Sequence, residues 1–365
     1  MRKLVYKTMV DAIEPMDADT LECVRVCGWR VVCRKGDFHV GDIALYIEPD
    51  AALSPHDDRF AFLRDRCYKK FNVHGKLFDE CYRIKTMKLR GVISQGLLMK
   101  PELFCEVRNK QLHEDCSDVL AVRHYDEVAE KYVNETAPLK PADQKGPFPE
   151  GFGPKTDEER IQNIEDETLR SWIDSGEELE VTQKIDGTSM SVGYAPIVRL
   201  EDPLAVCSRN FELKDMPSSY WDMVHQLRLD ERLKEYCERY NLDLLIQGEL
   251  HGPGISSNRD HQTERHFSVF RIWDIQEQRY LEWDERMEIC RRLGLEHVPV
   301  LEITTLRRFT DPYDPDNMQA VRDNILKFAE GKTELGNERE GVVFKSRDGH
   351  ISFKAVSNAY LLGLK

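Results

Sequence analysis

The chain has 365 residues, 41% hydrophobic and 32% charged, with a net charge of −14. This is a globular balance, long enough for two domains of ~100–200 residues each. No stretch approaches the ~18 consecutive apolar residues of a membrane span, and the start MRKLVYKTMVDAIEP breaks its apolar run at Lys7 and Asp11, so neither membrane insertion nor secretion is expected.

The ten cysteines contain no Cys-x-x-Cys pair, which gives no zinc or disulfide framework and points to reduced thiols in the cytosol. Charge is uneven: residues 1–100 hold 18 basic and 14 acidic side chains, so the remainder carries −18. A nucleic-acid partner would therefore be held by a local basic surface and not by the field of the whole protein.

Over residues 1–100, ECVRVCGWRVVCRKGDF, HVGDIALYIEPDA and CYRIKTMKLRGVISQGLLM read as short strands with breaks at Gly28, Gly36, Gly41 and Gly91. That is the pattern of a small barrel or sandwich. Arg83, Lys85, Lys88 and Arg90 sit among Ile84, Met87 and Leu89 as one strand with a solvated face, which serves equally as ordinary surface or as a phosphate contact. Residues 105–164 turn charged and Pro/Gly-rich, with helical spacing in DVLAVRHYDEVAEKY and an exposed connector from Pro138 to Pro154. Beyond, the strand-like runs ELEVTQK, DLLIQGEL, FSVFRIWDI, EGVVFK and HISFKAV alternate with helical patterns in SYWDMVHQLRLDERLKEYCERYN and DERMEICRRLGL. Strand and helix mixed in this way predict an α+β or α/β domain.

The stretch VTQKIDGTSMSVGY carries the most chemistry. On an extended VTQK, Thr182 and Lys184 share one face while Val181 and Gln183 take the other, and Lys184 runs from the strand end into a turn at Asp186–Gly187. Alone, Lys-x-Asp-Gly reads as well as a surface ion pair worth ~0–1 kcal/mol. The later strands add Gln247 and Glu249 on one face, Trp273 beside Asp274, Glu340 with Lys345, and Lys354. Together these are a lysine nucleophile, carboxylates for a metal, an aromatic platform and cations for phosphate, the parts nucleotidyl transfer requires.

With those residues in place, Lys184-Ile185-Asp186-Gly187 resembles motif I of the covalent nucleotidyltransferases, the superfamily of ATP-dependent RNA ligases, DNA ligases and capping enzymes. Ser208-Arg209-Asn210 is similar to motif Ia, Gly248-Glu249-Leu250 to motif III, Phe270 to Asp274 to motif IIIa, Glu340 to Lys345 to motif IV, and the segment around Lys354 to motif V. DNA ligases and capping enzymes usually continue past motif V into a C-terminal OB domain, whereas only Ser357 to Lys365 follow here, so an RNA ligase is expected. GWRVVCRKGDFHVGDIALYIEPDA and RIKTMKLRGVISQGLL resemble the N-terminal OB domain of the RNA ligase 5 family, ligases that join an RNA 3′-OH to a 5′-phosphate at nicks.

The resemblance implies an α+β chain with an OB-fold β-barrel at 1–104, a helical and Pro/Gly linker at 105–164, and an ATP-grasp-like nucleotidyltransferase domain of two antiparallel sheets with helices at 165–365. It implies ATP as AMP donor, Mg2+ or Mn2+ as cofactor, RNA ends in a nicked duplex as partner, no membrane, and a monomer. By the same resemblance Lys184 is the nucleophile, with Arg209 and Lys354 handling phosphate. Gln183, Glu249, Phe270, Trp273, Lys345 and Lys354 bind the nucleotide, Trp273 stacking on the base or else Phe270, since the two alternate in facing. Asp186, Glu249 and Glu340 hold the metal, or Glu249 the ribose, and Arg83, Lys85, Lys88, Arg90 and Arg209 contact nucleic acid. Two positions depart from the family pattern: Ser352 stands where many relatives carry the first of two motif V lysines, and Gln183 where an acidic residue is common. A DNA ligase or a GTP-using capping enzyme would share Lys184, and a non-catalytic OB-type RNA-binding protein is the alternative outside enzymes.

Overall fold

A computed structural model describes residues 3–73, 76–125 and 143–363, which divide into two compact units. The first holds the described residues up to Tyr125 with Gln162–Glu165 and Leu361 onward; the second holds those from Asp143 to Ile161 and Asp166–Tyr360. The stretch 105–164, expected as a connector, is thus shared between them. Of its helical pattern, Asp118–Ala121 is turn and Arg123–His124 a short strand, and 126–142 lies outside the described residues.

In the first unit, strand Ile43–Ile47 lies between Val5–Met9 and Leu97–Met99. Its period-2 alternation sends Ala44 and Tyr46 into one core and Leu45 and Ile47 into another. The first core is completed by Val24, Val26, Trp29 and Val31 from the meander Ala12–Glu14, Leu21–Val26 and Trp29–Arg34. The second takes in Leu53, Phe60, Tyr82, Phe104, Val107, Cys116 and Val122, which builds residues 104–122 into this unit.

The basic segment expected as one strand is divided. Strand Lys76–Arg83 ends, and Met87–Leu89 pairs with Val92–Ser94 as a separate hairpin. Its turn residues Arg90 and Gly91 have φ of 47° and 86°. Two positive φ values make the tight turn whose twist suits antiparallel strands, and glycine supplies one of them without strain.

The second unit carries two sheets. One orders Gln144–Pro147, Phe211–Leu213, Leu204–Cys207, Thr188–Tyr194, Leu244–His251, His266–Asp274 and Arg279–Tyr280, with Glu296–His297 pairing parallel to His266–Asp274. Met190, Val192, Ile246 and Leu250 on its outer face pack under helices Ser219–Leu227, Leu229–Tyr240 and Trp283–Leu293. The long helical pattern at 219–241 is two helices, because Arg228 takes a left-handed conformation at φ 50° and donates its backbone N–H to the carbonyls of Val224 and His225.

The other sheet orders Val300–Thr304, Leu179–Lys184, Gly341–Ser346 and Ser352–Val356, all antiparallel. Val181, Phe344 and Phe353 are buried on one face, where Phe344 and Phe353 stack at 4.8 Å and Trp172 of helix Asp166–Ser175 stacks on Phe353 at 5.8 Å. The opposite face is left polar: Glu180, Thr182 and Lys184 align with Lys345, Val343 and Gly341, then with Ser352, Lys354 and Val356.

Candidate active site

The polar faces of these two sheets line a half-open cavity, the concave kind of site that holds small molecules. Thr182, Lys184, Val343, Lys345 and Lys354 line it from the smaller sheet, and Ser189, Glu249 and Phe270 from the larger one, with Arg209, Gln183 and Val298. Lys184 also borders a second cleft with Asp186, Glu340, Arg259 and Tyr360. Gly187 lets the turn after Lys184 close on the facing strand, since a Cβ there would meet the Leu250 carbonyl and lie 2.8 Å from Glu249 Cγ.

Lys184 Nζ lies 2.7 Å from Glu340 Oε1. Burial pulls the ammonium's pKa down, but Glu340 and Glu249 outweigh it and hold the group above its ordinary value. Glu249 is pushed up to about 7 by burial, moderated by Lys184 and reinforced by Glu340. Lys345, 3% exposed, is pushed down to about 7 by burial and then by Arg271. Its Nζ donates to the Phe270 carbonyl at 3.0 Å and lies 5.1 Å from that ring's centre. Lys354 Nζ donates to Asp157 Oδ1 at 2.7 Å.

The structure brings most of the expected residues together but divides the carboxylates. Glu249 lines the cavity, whereas Asp186 and Glu340 border the adjoining cleft that shares Lys184 with it, and both still act electrostatically on Glu249. Asp186 is bound by the hydroxyls of Ser256, at 2.6 Å, and Ser257. Among the described residues, the three-ligand group with all ligand atoms within 4.8 Å is Glu177, Asp348 and His350, not this trio. The donors around Lys184 still suit a hard cation, being all carboxylate oxygen, and Glu340 and Asp186 add like charge to Glu249 that a cation would offset.

The aromatic expectation is corrected. Gln247 faces Arg271 but Gly248 faces Val269, so Phe270 is an extra residue in the ladder. Such a bulge reverses the alternation: Val269 and Ile272 both reach the helix-covered core, and Phe270 and Trp273 no longer take opposite faces. Phe270 lines the cavity. Trp273 packs instead near Phe152 and Leu245, edge-on to Tyr280 at 4.8 Å.

Sequence reasoning missed the segment Thr156–Glu158, whose three side chains line the cavity. Thr156 Oγ1 meets Ser189 Oγ at 2.7 Å, and Glu158 accepts from Arg271 at 3.0 Å and from Ser352. Ser352, at the position where many relatives carry a lysine, lies 2.5 Å from Arg271 Nη2, so a guanidinium from the facing sheet stands beside it. In the first unit Arg83 is held by Asp50 at 2.8 Å and lies 4.0 Å over the Tyr125 ring, while Lys85 and Lys88 line an open groove with Arg66.

A family model described as RNA ligase matches residues 177–356, and one described as an OB-fold domain matches residues 4–101. Among solved structures, an apo mutant of the Naegleria gruberi RNA ligase is 31% identical with a TM-score of 0.81, the match covering 99% of this chain and 97% of that one. A mutant of the same ligase with ATP and Mn is 30% identical at 0.80, covering 99% and 98%, and the ligase with PPi is 31% identical at 0.79, covering 99% and 98%. Among curated proteins none matches. With an OB-fold domain followed by a ligase domain, and likeness over nearly the whole length, the chain belongs to the RNA ligase family.

Proposed function

We propose that this ligase joins RNA 3′-OH and 5′-phosphate ends, in nicked duplexes, with ATP as AMP donor and a lysyl-AMP intermediate on Lys184. The observation that supports this most is the place of Lys184, on the wall of a cavity that also holds Glu249, Phe270, Lys345 and Lys354, with Glu340 at 2.7 Å.

Lys184 Nζ attacks the α-phosphorus of ATP, an N–P bond forms, and the bond to the bridging oxygen breaks to release pyrophosphate. Glu340 is placed to take the ammonium proton first, since only the neutral amine is a nucleophile. A divalent cation, Mg2+ or Mn2+, drawing on Glu249 in the cavity and on Glu340 and Asp186 in the adjoining cleft would offset the carboxylate charge that keeps Lys184 protonated and would polarise the phosphate. Phe270 stacks on the base, while Lys354, Lys345 and Arg209 balance charge around the nucleotide. In the second step a 5′-phosphate oxygen of RNA attacks the AMP phosphorus and Lys184 leaves as an amine, regaining its proton. In the third, the 3′-OH attacks the activated 5′ phosphorus and AMP leaves, with Arg209 orienting the end.

The groove of Arg66, Lys85 and Lys88 in the first unit holds duplex phosphates. The test is a panel of nicked duplexes with RNA or DNA on each side of the nick, incubated with ATP and Mn2+. Sealing of nicks with RNA at the 3′-OH side is expected, and sealing confined to all-DNA nicks would overturn the substrate assignment.

A further inference from the structure

The turn that follows Lys184 is gripped by one loop. Ser256 Oγ donates to Asp186 Oδ1 at 2.6 Å and Ser257 Oγ donates to Asp186 Oδ2, so each carboxylate oxygen takes its own hydroxyl. The hydroxyl of buried Tyr360 bonds the same carboxylate. A bond to one oxygen would leave the group free to swivel, whereas a bond to each fixes its plane.

Both serines are exposed, so water competes with them for Asp186 and the loop must place them in advance. Ser256, Asn258 and His261 have φ of 47°, 41° and 51°, a left-handed region that side chains seldom enter and that persists only where the surroundings impose it. Here they do. Ile255 is buried, Asn258 closes the loop on Gln262 with two bonds at 3.1 Å, and Gln262 is tied to His251 at 2.8 Å. Arg259 donates to the Tyr360 carbonyl at 3.2 Å with its guanidinium 4.2 Å over that ring. Asp260 accepts from Thr333 at 2.7 Å and from Asn337 at 3.2 Å.

Held from the loop side, Asp186 leaves Lys184 to Glu340, its partner at 2.7 Å. A carboxylate has about four acceptor sites, so the three hydroxyls leave Asp186 room for one more donor while deciding which way it faces. We propose that Ser256 and Ser257 are positioning residues for the divalent cation: acting through Asp186, they fix one of the carboxylates on which it draws before it arrives. This rests on the reading of Asp186 as a cation partner given above.

The test is Mn2+ affinity, read by electron paramagnetic resonance of the free ion in the presence of the α,β-methylene analogue of ATP, from which no pyrophosphate can leave. Ser256→Gly with Ser257→Ala removes both hydroxyls, and glycine takes the φ of 47° at the first position without strain. The Mn2+ Kd should rise roughly 10-fold, as when a group that orients a metal ligand is lost, while the Kd of the analogue without metal should hardly change. Ser257→Thr, which keeps the hydroxyl, should bind Mn2+ as the unsubstituted chain does. With ATP, the double variant should need more Mn2+ for half-maximal adduct formation by the same factor. A lowered Tm with an unchanged Mn2+ Kd would make the serines struts of the loop, and tighter Mn2+ binding would make them a latch; either result overturns the proposal. If Mn2+ affinity falls as expected but the unsubstituted chain forms no adduct on Lys184, the serines keep their role and the lysyl-AMP reading is what fails.

Discussion

Lys184 Nζ and Glu340 Oε1 stand 2.7 Å apart, an ion pair that orients the proposed nucleophile and also holds its proton. Glu340→Gln keeps the shape but cannot accept that proton as a carboxylate does. Single-turnover formation of lysyl-AMP should fall by about 10²- to 10⁴-fold, and a rate within twofold of the unsubstituted chain would remove Glu340 from proton transfer.

Phe270 and Trp273 separate stacking from packing. Phe270→Ala should weaken ATP binding by ~1–3 kcal/mol with a small change in Tm, and Phe270→Tyr should retain most of the affinity. Trp273→Ala should cost ~3–5 kcal/mol of stability and leave ATP affinity of the folded protein unchanged. Calorimetric Kd and thermal melts of both variants give the answer, and the reverse pattern would return Trp273 to the base site.

Buried Lys345 and half-buried Glu249 should tilt stability with pH in opposite senses. Lys345 is pushed down from 10.5 to about 7, so between those values the unfolded chain binds a proton that the folded chain lacks, and stability rises with pH. Glu249 is pushed up from 4.5 to about 7, so between those values the folded chain holds the extra proton, and stability falls as pH rises. Urea denaturation at stepped pH should show Lys345→Met losing slope above pH 7 and Glu249→Gln losing it below. Profiles parallel to the unsubstituted chain would show both groups to titrate normally.

For the first unit, Lys85→Ala with Lys88→Ala should reduce nick sealing and flatten its dependence on salt by roughly 0.9 log units per lost contact per decade of salt, leaving lysyl-AMP formation intact. Arg83→Ala should act differently. Its guanidinium is committed to Asp50 and Tyr125, so it should lower Tm with little change in the salt slope. Equal salt slopes in all three proteins would remove the groove from RNA binding.

What could be read from the residues was what alternation carries. Thr182 and Lys184 share a face, as do Gln247 and Glu249, because strand geometry leaves no other choice over so short a run. A single inserted residue is invisible to that logic: FSVFRIWD shows no glycine or proline at the bulge, so strict alternation gives Phe270 and Trp273 the wrong parity. The break at Arg228 is equally silent, an arginine in a conformation glycine usually takes. Asp157 and Glu158 were hidden for another reason. Within a Pro/Gly-rich stretch they resemble solvated charges, and their partners Lys354 and Ser352 lie 197 and 194 residues away.

The most direct measurement of the central claim is mass-spectrometric mapping of the nucleotide adduct after incubation with ATP and Mn2+. An acid-stable AMP adduct on the peptide containing Lys184, absent from Lys184→Ala, is the predicted result, since an amine nucleophile leaves a phosphoramidate. An AMP adduct on another residue, or its persistence in Lys184→Ala, would contradict the account.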